Sequence, residues 1–256
     1  TLLVKVFEIN TFNFYSRNLR PVDTAINLDG LAATWERILK YKDAPIIRTE
    51  REFQFPELKK RGVFVVEFIG NGKSSRVLVN KGNLRVLEKV GPAGHEFRIL
   101  DENNKPRPKA AIWLEGTEYD PGKNGIVTIP FSNRSGRRPM VLRDGSFCAL
   151  STFDHLGENY QLDAGIHLDR EALVKGATAK AVIRPLLRLN GYPISSSLLE
   201  NAKLVVQSVD HDSSPSMTEI DLPELKDGED FVHEFMVPDK LSALTLSLSA
   251  KVQNLS

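Results

Sequence analysis

The chain has 256 residues, 41% of them hydrophobic and 26% charged, with 34 Lys and Arg against 33 Asp and Glu and a formal net charge of +1. That is ordinary globular composition, long enough for two or three domains. The balanced charge excludes a global field that would gather nucleic acid or coat an anionic membrane, and no apolar run approaches the roughly 20 residues of a membrane-spanning helix.

Strand signals begin at once with TLLVKVFEINTFNFY, short-range alternation rich in Val, Ile and Phe. LDGLAATWERILKY then reads two ways. Leu28, Leu31, Trp35, Ile38 and Leu39 approach helical spacing, while Trp35, Leu39 and Tyr41 also fit a strand. RTEREFQFPEL and GVFVVEFIG are further strand signals. Gly72-Lys73-Ser74 resembles the end of a phosphate-binding loop, but the position that needs a glycine holds Glu67, and SRVLVN behind it is a strand rather than a helix. Asn71-Gly72 between two alternating runs therefore predicts a β-hairpin. NKGNLRVLEKVGPAG carries glycines and a proline and marks a break near residue 83.

HEFRILDE, AAIWLEG and GIVTIPF follow, joined by a polar turn through Pro106 and Pro108 and by DPGKNG. Alternation puts Ile112 and Leu114 on one sheet face and Trp113 on the other. FDHLGENYQLDAG is polar and turn-rich and marks a second break near residue 158. KAVIRPLLRL, KLVVQSVD, DFVHEFMVP and ALTLSLSAKV complete the strands, and SSSLLENAK has a Ser cap for a short helix. The expectation is an all-β protein of tandem immunoglobulin-like antiparallel β-sandwiches, divided 1–83, 84–158 and 159–256. Thr1 is not a methionine and the last residues run out of a strand-like alternation, so the sequence reads as part of a longer protein.

Candidate chemistry thins out under inspection. The lone Cys148, in GSFCAL, excludes an internal disulfide and a cysteine-based zinc site and reads as a small buried hydrophobe. His95, His155, His167, His211 and His233 show no H-x-H or H-x-x-x-H spacing for a metal. Asp210, His211, Asp212 and Ser213 have the residue types of a catalytic triad, but sequence neighbours in a turn point apart, so a solvated hairpin turn is expected. DPGKNG and LKDGED lack the alternating oxygens of a calcium loop. Arg134, Arg137 and Arg138, like Lys59, Lys60 and Arg61, read as turn charges that keep edges soluble rather than as a nucleic-acid site. Asn133-Arg134-Ser135 and Asn254-Leu255-Ser256 fit the N-glycosylation pattern, which matters only in a secreted chain. The acids Glu50 with Glu52, and Asp227 with Glu229 and Asp230, read as solvated. The site expectation is none: no catalytic, cofactor-binding or metal-binding residue, no cofactor, and no enzymatic activity.

Three segments resemble the macroglobulin-type domains of the α2-macroglobulin and thioester-protein family. They are FQFPELKKRGVFVVEFIGNGKSSRVLV, with its Phe-x-x-Pro run before a Gly and an aromatic-Val-Val strand; ILDENNKPRPKAAIWLEGTEYDPGKNGIVTIPF; and GIHLDREALVKGATAKAVIRPLLRLNGYPI. The resemblance implies seven-stranded sandwiches in an extracellular, cell-surface or periplasmic protein that traps peptidases or marks targets. The thioester sequence Cys-Gly-Glu-Gln is absent, since Cys148 is followed by Ala149-Leu150, so this part would be scaffold. Its implied partners are other domains of the same parent chain, with peptidases or cell-surface proteins outside it. Two further readings stand beside it: a tandem immunoglobulin-like adhesion or carbohydrate-binding module, with Trp35, Trp113, Tyr119 and Tyr160 as candidates for an exposed aromatic platform, and accessory domains of a secreted hydrolase.

Overall fold

The computed structural model describes residues 1–42 and 47–253. It is all-β: a succession of immunoglobulin-like antiparallel sheets, with one short α-helix among the described residues. The chain packs as two compact units, Thr1–Pro130 with Gly136–His155, and Phe131–Ser135 with Leu156–Ser256.

In the first unit, β1 (Leu2–Ile9) leads into α1 (Thr11–Asn18), and the chain then forms β2 (Trp35–Leu39), β3 (Gly62–Gly70) and β4 (Lys73–Lys81). These strands make a sheet of order β2-β1-β3-β4. The Asn71-Gly72 turn closes β3 onto β4 with φ of 49° and 72°, the positive angles that this dipeptide tolerates, and Gly70 pairs with Lys73 beneath it. Both faces of β3 are buried: Val63 and Val65 join Phe7, Ile9 and Tyr15 in one cluster, and Phe64 and Val66 join Val4 and Val6 in another.

Three sequence expectations change here. The first strand signal ends at Ile9, and TFNFYSRN is helix because the Asn10 side chain accepts from the Asn13 N–H as an N-cap, 3.0 Å away. The ambiguous stretch resolves as β2, paired with β1 from Leu2–Leu39 to Val6–Trp35. Residues 48–58, expected as a strand, make no ladder; their alternation instead drops Phe53, Phe55 and Leu58 onto the Val4 and Val66 face.

The same unit continues through β5 (Leu84–Gly91), β6 (Gly94–Asp101), β7 (Ala111–Leu114), β8 (Thr117–Tyr119), β9 (Ile126–Ile129), β10 (Gly136–Asp144) and β11 (Phe147–His155), in sheets of order β5-β6-β9 and β11-β10-β7-β8. Between them lie Phe97, Ile99, Ile112, Leu114, Val127, Ile129, Met140 and Leu142. Residues 84–91 are therefore strand within the stretch read as a break; glycines bracket that strand rather than interrupt it. Along β10, Met140 and Leu142 face this core, while Val141, with Cys148 on β11, faces the other way into the cluster of Phe7, Ile9, Val63 and Val65. The β10 sheet is thus a middle layer, covered on its outer face by α1 and the first sheet. Each fully buried Val or Leu side chain contributes about 1.5–3 kcal/mol, so this seam holds the two parts as one body. Trp113 points into it, edge-on to Phe12 at 6.2 Å, while Ile112 and Leu114 face the opposite core.

The second unit is a sandwich of its own. β12 (Tyr160–Leu168), β13 (Thr178–Leu189) and β14 (Tyr192–Ile194) form one sheet, which β17 (Phe231–Met236) joins along β13; β15 (Leu199–Asp210), β16 (Pro215–Asp221) and β18 (Leu241–Val252) form the other. Ala179, Ala181, Ile183, Leu187 and Leu189 alternate inward on β13. Pro185 sits mid-strand opposite Ala164 of β12, at the gap on the other side of β13 where β17 pairing stops at Ile183 and β14 pairing starts at Leu187, so one flank of the strand has no ladder there. SSSLLENAK holds only a 3-10 turn, Ser196–Leu198, before β15.

Candidate interaction surfaces

The strongest polar cluster lies where the first sheet meets the rest of its unit. Arg61, just before β3, donates from Nη1 to Asp144 Oδ2 at 3.0 Å, and from Nη2 to the Asn83 carbonyl at 2.8 Å and Glu102 Oε2 at 3.1 Å. Its guanidinium lies 4.3 Å from the Phe147 ring centroid. Arg107 Nε donates to the same Asp144 oxygen at 2.7 Å. Gly82 makes the approach possible: at φ 89°, an added Cβ would sit 2.8 Å from Arg61 Nε. Sequence reading grouped Arg61 with Lys59 and Lys60 as a turn charge, and nothing local in KKRG distinguishes it, because its partners lie 22 to 83 residues away. The knot fastens the fold, and both of its carboxylates, Asp144 and Glu102, are paired with arginine. Nearby Asp101 accepts backbone N–H groups from Lys105 and Asn103, each at 2.9 Å, and the first of these holds its carboxyl below the usual range.

Two of the five histidines converge. His95, fully buried, donates from Nδ1 to Glu88 Oε1 at 2.7 Å; His155 donates from Nε2 to the Pro130 carbonyl at 3.1 Å; their ring centroids are 5.3 Å apart. Burial pushes the His155 pKa down. Among the described residues no group of three or more His, Cys, Asp or Glu side chains is placed to hold a metal. His167 lies on β12, His211 in a turn, and His233 on β17, stacked on Phe235.

The triad-like residues form the β15–β16 turn. Asp210 Oδ1 accepts from the Ser214 N–H at 2.7 Å, Asp212 pairs with Lys240 at 2.8 Å, and Ser213 turns the backbone at φ 62°. The two carboxylates are thus engaged with different partners, in a turn rather than around a shared centre. In DPGKNG, Asn124 Oδ1 accepts from the Ile126 N–H and the Gly122 N–H bonds the Ile126 carbonyl, closing the turn on itself. In LKDGED, Asp227 accepts from the Ser196 N–H at 2.6 Å, and Asp230 pairs with Arg184 at 2.6 Å. Arg137 and Arg138, expected in a loop, lie on β10, where Arg138 pairs with Glu115. Glu50 and Glu52 line a groove of about 550 Å³ with Trp35, Arg37 and Tyr41. Cys148 is buried, and burial raises its thiol pKa. Asn133 lies before β10; Asn254, Leu255 and Ser256 fall outside the described residues.

The four aromatics that could have formed an exposed platform are all packed. Trp35 meets Phe55 edge-on at 6.1 Å, Trp113 meets Phe12, Tyr119 packs on the core of its sandwich, and Tyr160 packs with Leu187 and Leu199. All four are partly buried against these partners.

The open flank of the first sheet has a different character. β4 terminates the sheet order, and its sequence, KSSRVLVNK, contains three cations and no acid. Arg76 is engaged, its Nε 2.9 Å from Glu67 and its Nη1 2.9 Å from the Ile26 carbonyl. Lys73, Ser75, Val77, Val79 and Lys81 alternate onto one face, with Val77 49% exposed between the two exposed lysines. Lys81 Nζ donates to the Leu58 carbonyl, which brings the exposed Lys59 and Lys60 to the same end of the strand.

Comparison with known proteins supplies the relationship. Residues 2–82 match the family of AbpF first immunoglobulin-like domains, and residues 169–256 the family of AbpF third immunoglobulin-like domains. The whole chain aligns with Actin-binding protein F of Dictyostelium discoideum, 38% identical over 265 residues that make up 11% of that protein, so the chain spans about a tenth of this curated relative.

These matches overturn the macroglobulin resemblance. The Phe-x-x-Pro run, the polar turn with its prolines and the extended strand after the acidic-Arg pair are features that any immunoglobulin-like sandwich can carry, and the matched domains are those of an actin-binding protein. With the resemblance fall the peptidase-trapping or target-marking role, the peptidase and cell-surface partners and the extracellular placement, none of which had another support. The adhesion and secreted-hydrolase readings fall on the same finding.

Proposed function

We propose that this chain, whose first and last domains match the AbpF immunoglobulin-like families, is a non-catalytic segment of a longer actin-associated protein, and that it works by binding actin filaments and by spacing its neighbours along them. The observation that carries this reading is the match to Actin-binding protein F over the full length of the chain. The geometry agrees with it: carboxylates, histidines and arginines are spent on fastening turns and seams rather than converging in a cleft, and the first unit is held by a shared apolar core rather than a loose linker. We further propose three domains, 1–83, 84–158 and 159–256, a division that the matched spans 2–82 and 169–256 support. No residue is assigned a catalytic, cofactor or metal role. The test is co-sedimentation of the purified chain with actin filaments. Saturable recovery in the filament pellet is expected, and a chain that stays in the supernatant at every filament concentration would refute the proposal.

A further inference from the structure

The net charge of +1 conceals an asymmetry. Residues 1–82 carry fourteen Lys and Arg against nine Asp and Glu, whereas residues 159–256 carry nine against fourteen. The excess of positive charge is therefore local, and the structure shows where it is exposed. Glu67 neutralises Arg76, Asp23 pairs with Arg20 at 2.6 Å, and Arg61 is shared between Asp144 and Glu102. Of the other cations in this stretch, Lys5 and Arg37 lie on β1 and β2 and Lys40 follows β2, while Lys59, Lys60, Lys73 and Lys81 gather at the β4 flank. From Lys73 to Lys81 the open edge of β4 runs roughly 27 Å at the usual strand rise. Its middle offers the half-exposed Val77, and Glu57 is the nearest acid in sequence, two residues before Lys59. An apolar centre with a charged rim is the anatomy of a protein interface, and the sign of the rim selects a partner rich in carboxylates.

We infer that this β4 flank is the surface through which the chain meets an acidic filament face; the inference rests on the actin-binding reading above. The competing role for such lysines is protection of a sheet edge from pairing with other chains. The two roles separate under charge reversal, because glutamates guard an edge as well as lysines but repel an acidic partner. The experiment compares the full chain with the quadruple variant Lys59→Glu, Lys60→Glu, Lys73→Glu, Lys81→Glu, and with a control, Glu200→Lys with Glu229→Lys, in filament co-sedimentation at low and high salt. Circular dichroism and size exclusion confirm that each is folded and monomeric. The parent chain is expected to bind more weakly at high salt, the quadruple variant to bind about tenfold or more weakly than the parent at low salt, and the control to bind as the parent does. If parent and quadruple variant bind alike, the flank is only a protected edge and the inference is wrong while the actin-binding reading stands. If the folded parent fails to bind at all, both fall.

Discussion

Replacing Arg61 by Ala tests whether the charged knot fastens the first sheet to the rest of its unit. The substitution removes a hydrogen bond to Asp144, whose side chain is 12% exposed, one to the Asn83 carbonyl, and the guanidinium stacked on Phe147. A hydrogen bond to a charged group contributes about 1.5–3 kcal/mol and a cation–π contact at a partly exposed site about 0.5–1 kcal/mol. Arg107 still holds Asp144, which offsets part of the loss, and Glu102 at 40% exposed adds little. The expected net cost is about 2–3 kcal/mol, or a fall of roughly 5–10 °C in the melting temperature of a unit this size. Differential scanning calorimetry reads it directly. Arg61→Lys should recover only part of the loss, because an ammonium cannot reach Asp144 and the Asn83 carbonyl together in the guanidinium's forked geometry. A shift below roughly 2 °C for Arg61→Ala would refute the claim that the knot is structural.

Gly94→Ala should abolish soluble expression or unfold the chain, since at φ 125° the new Cβ would lie 2.2 Å from the Ile129 carbonyl oxygen; a well-folded variant by circular dichroism would contradict this. For His155, burial lowers the folded-state pKa beneath the unfolded value of about 6.5, so its contribution to stability is complete above that pH and is lost as pH falls toward the folded-state pKa. Urea unfolding at stepped pH should show that slope, and His155→Gln should flatten it. Cys148, buried and with a raised pKa, should resist alkylation in the native chain and react only as the protein unfolds, which mass spectrometry across a urea series would follow.

What could be read from the sequence was local. Asn71-Gly72 specifies its hairpin through backbone angles that few other residues tolerate, and alternation at Ile112, Trp113 and Leu114 gives their two faces directly. The misreadings share a cause. TFNFYSRN has the aromatics of a strand, yet the Asn10 cap and the middle sheet beneath make it a helix; FQFPEL alternates as a strand would, yet serves as a lid on the first sheet. Both depend on what the segment packs against. At the surfaces, Arg61 and Lys60 are adjacent and chemically alike, and only contacts distant in sequence make one a fastener and the other exposed. The macroglobulin resemblance failed similarly, because its strand-and-turn motifs describe a fold shared by unrelated functions.

The most direct test of the account is an equilibrium binding isotherm of the fluorescently labelled 256-residue chain on actin filaments. The account predicts a saturable curve with a fixed stoichiometry per actin subunit that weakens as salt is raised. A flat signal from folded protein would contradict it.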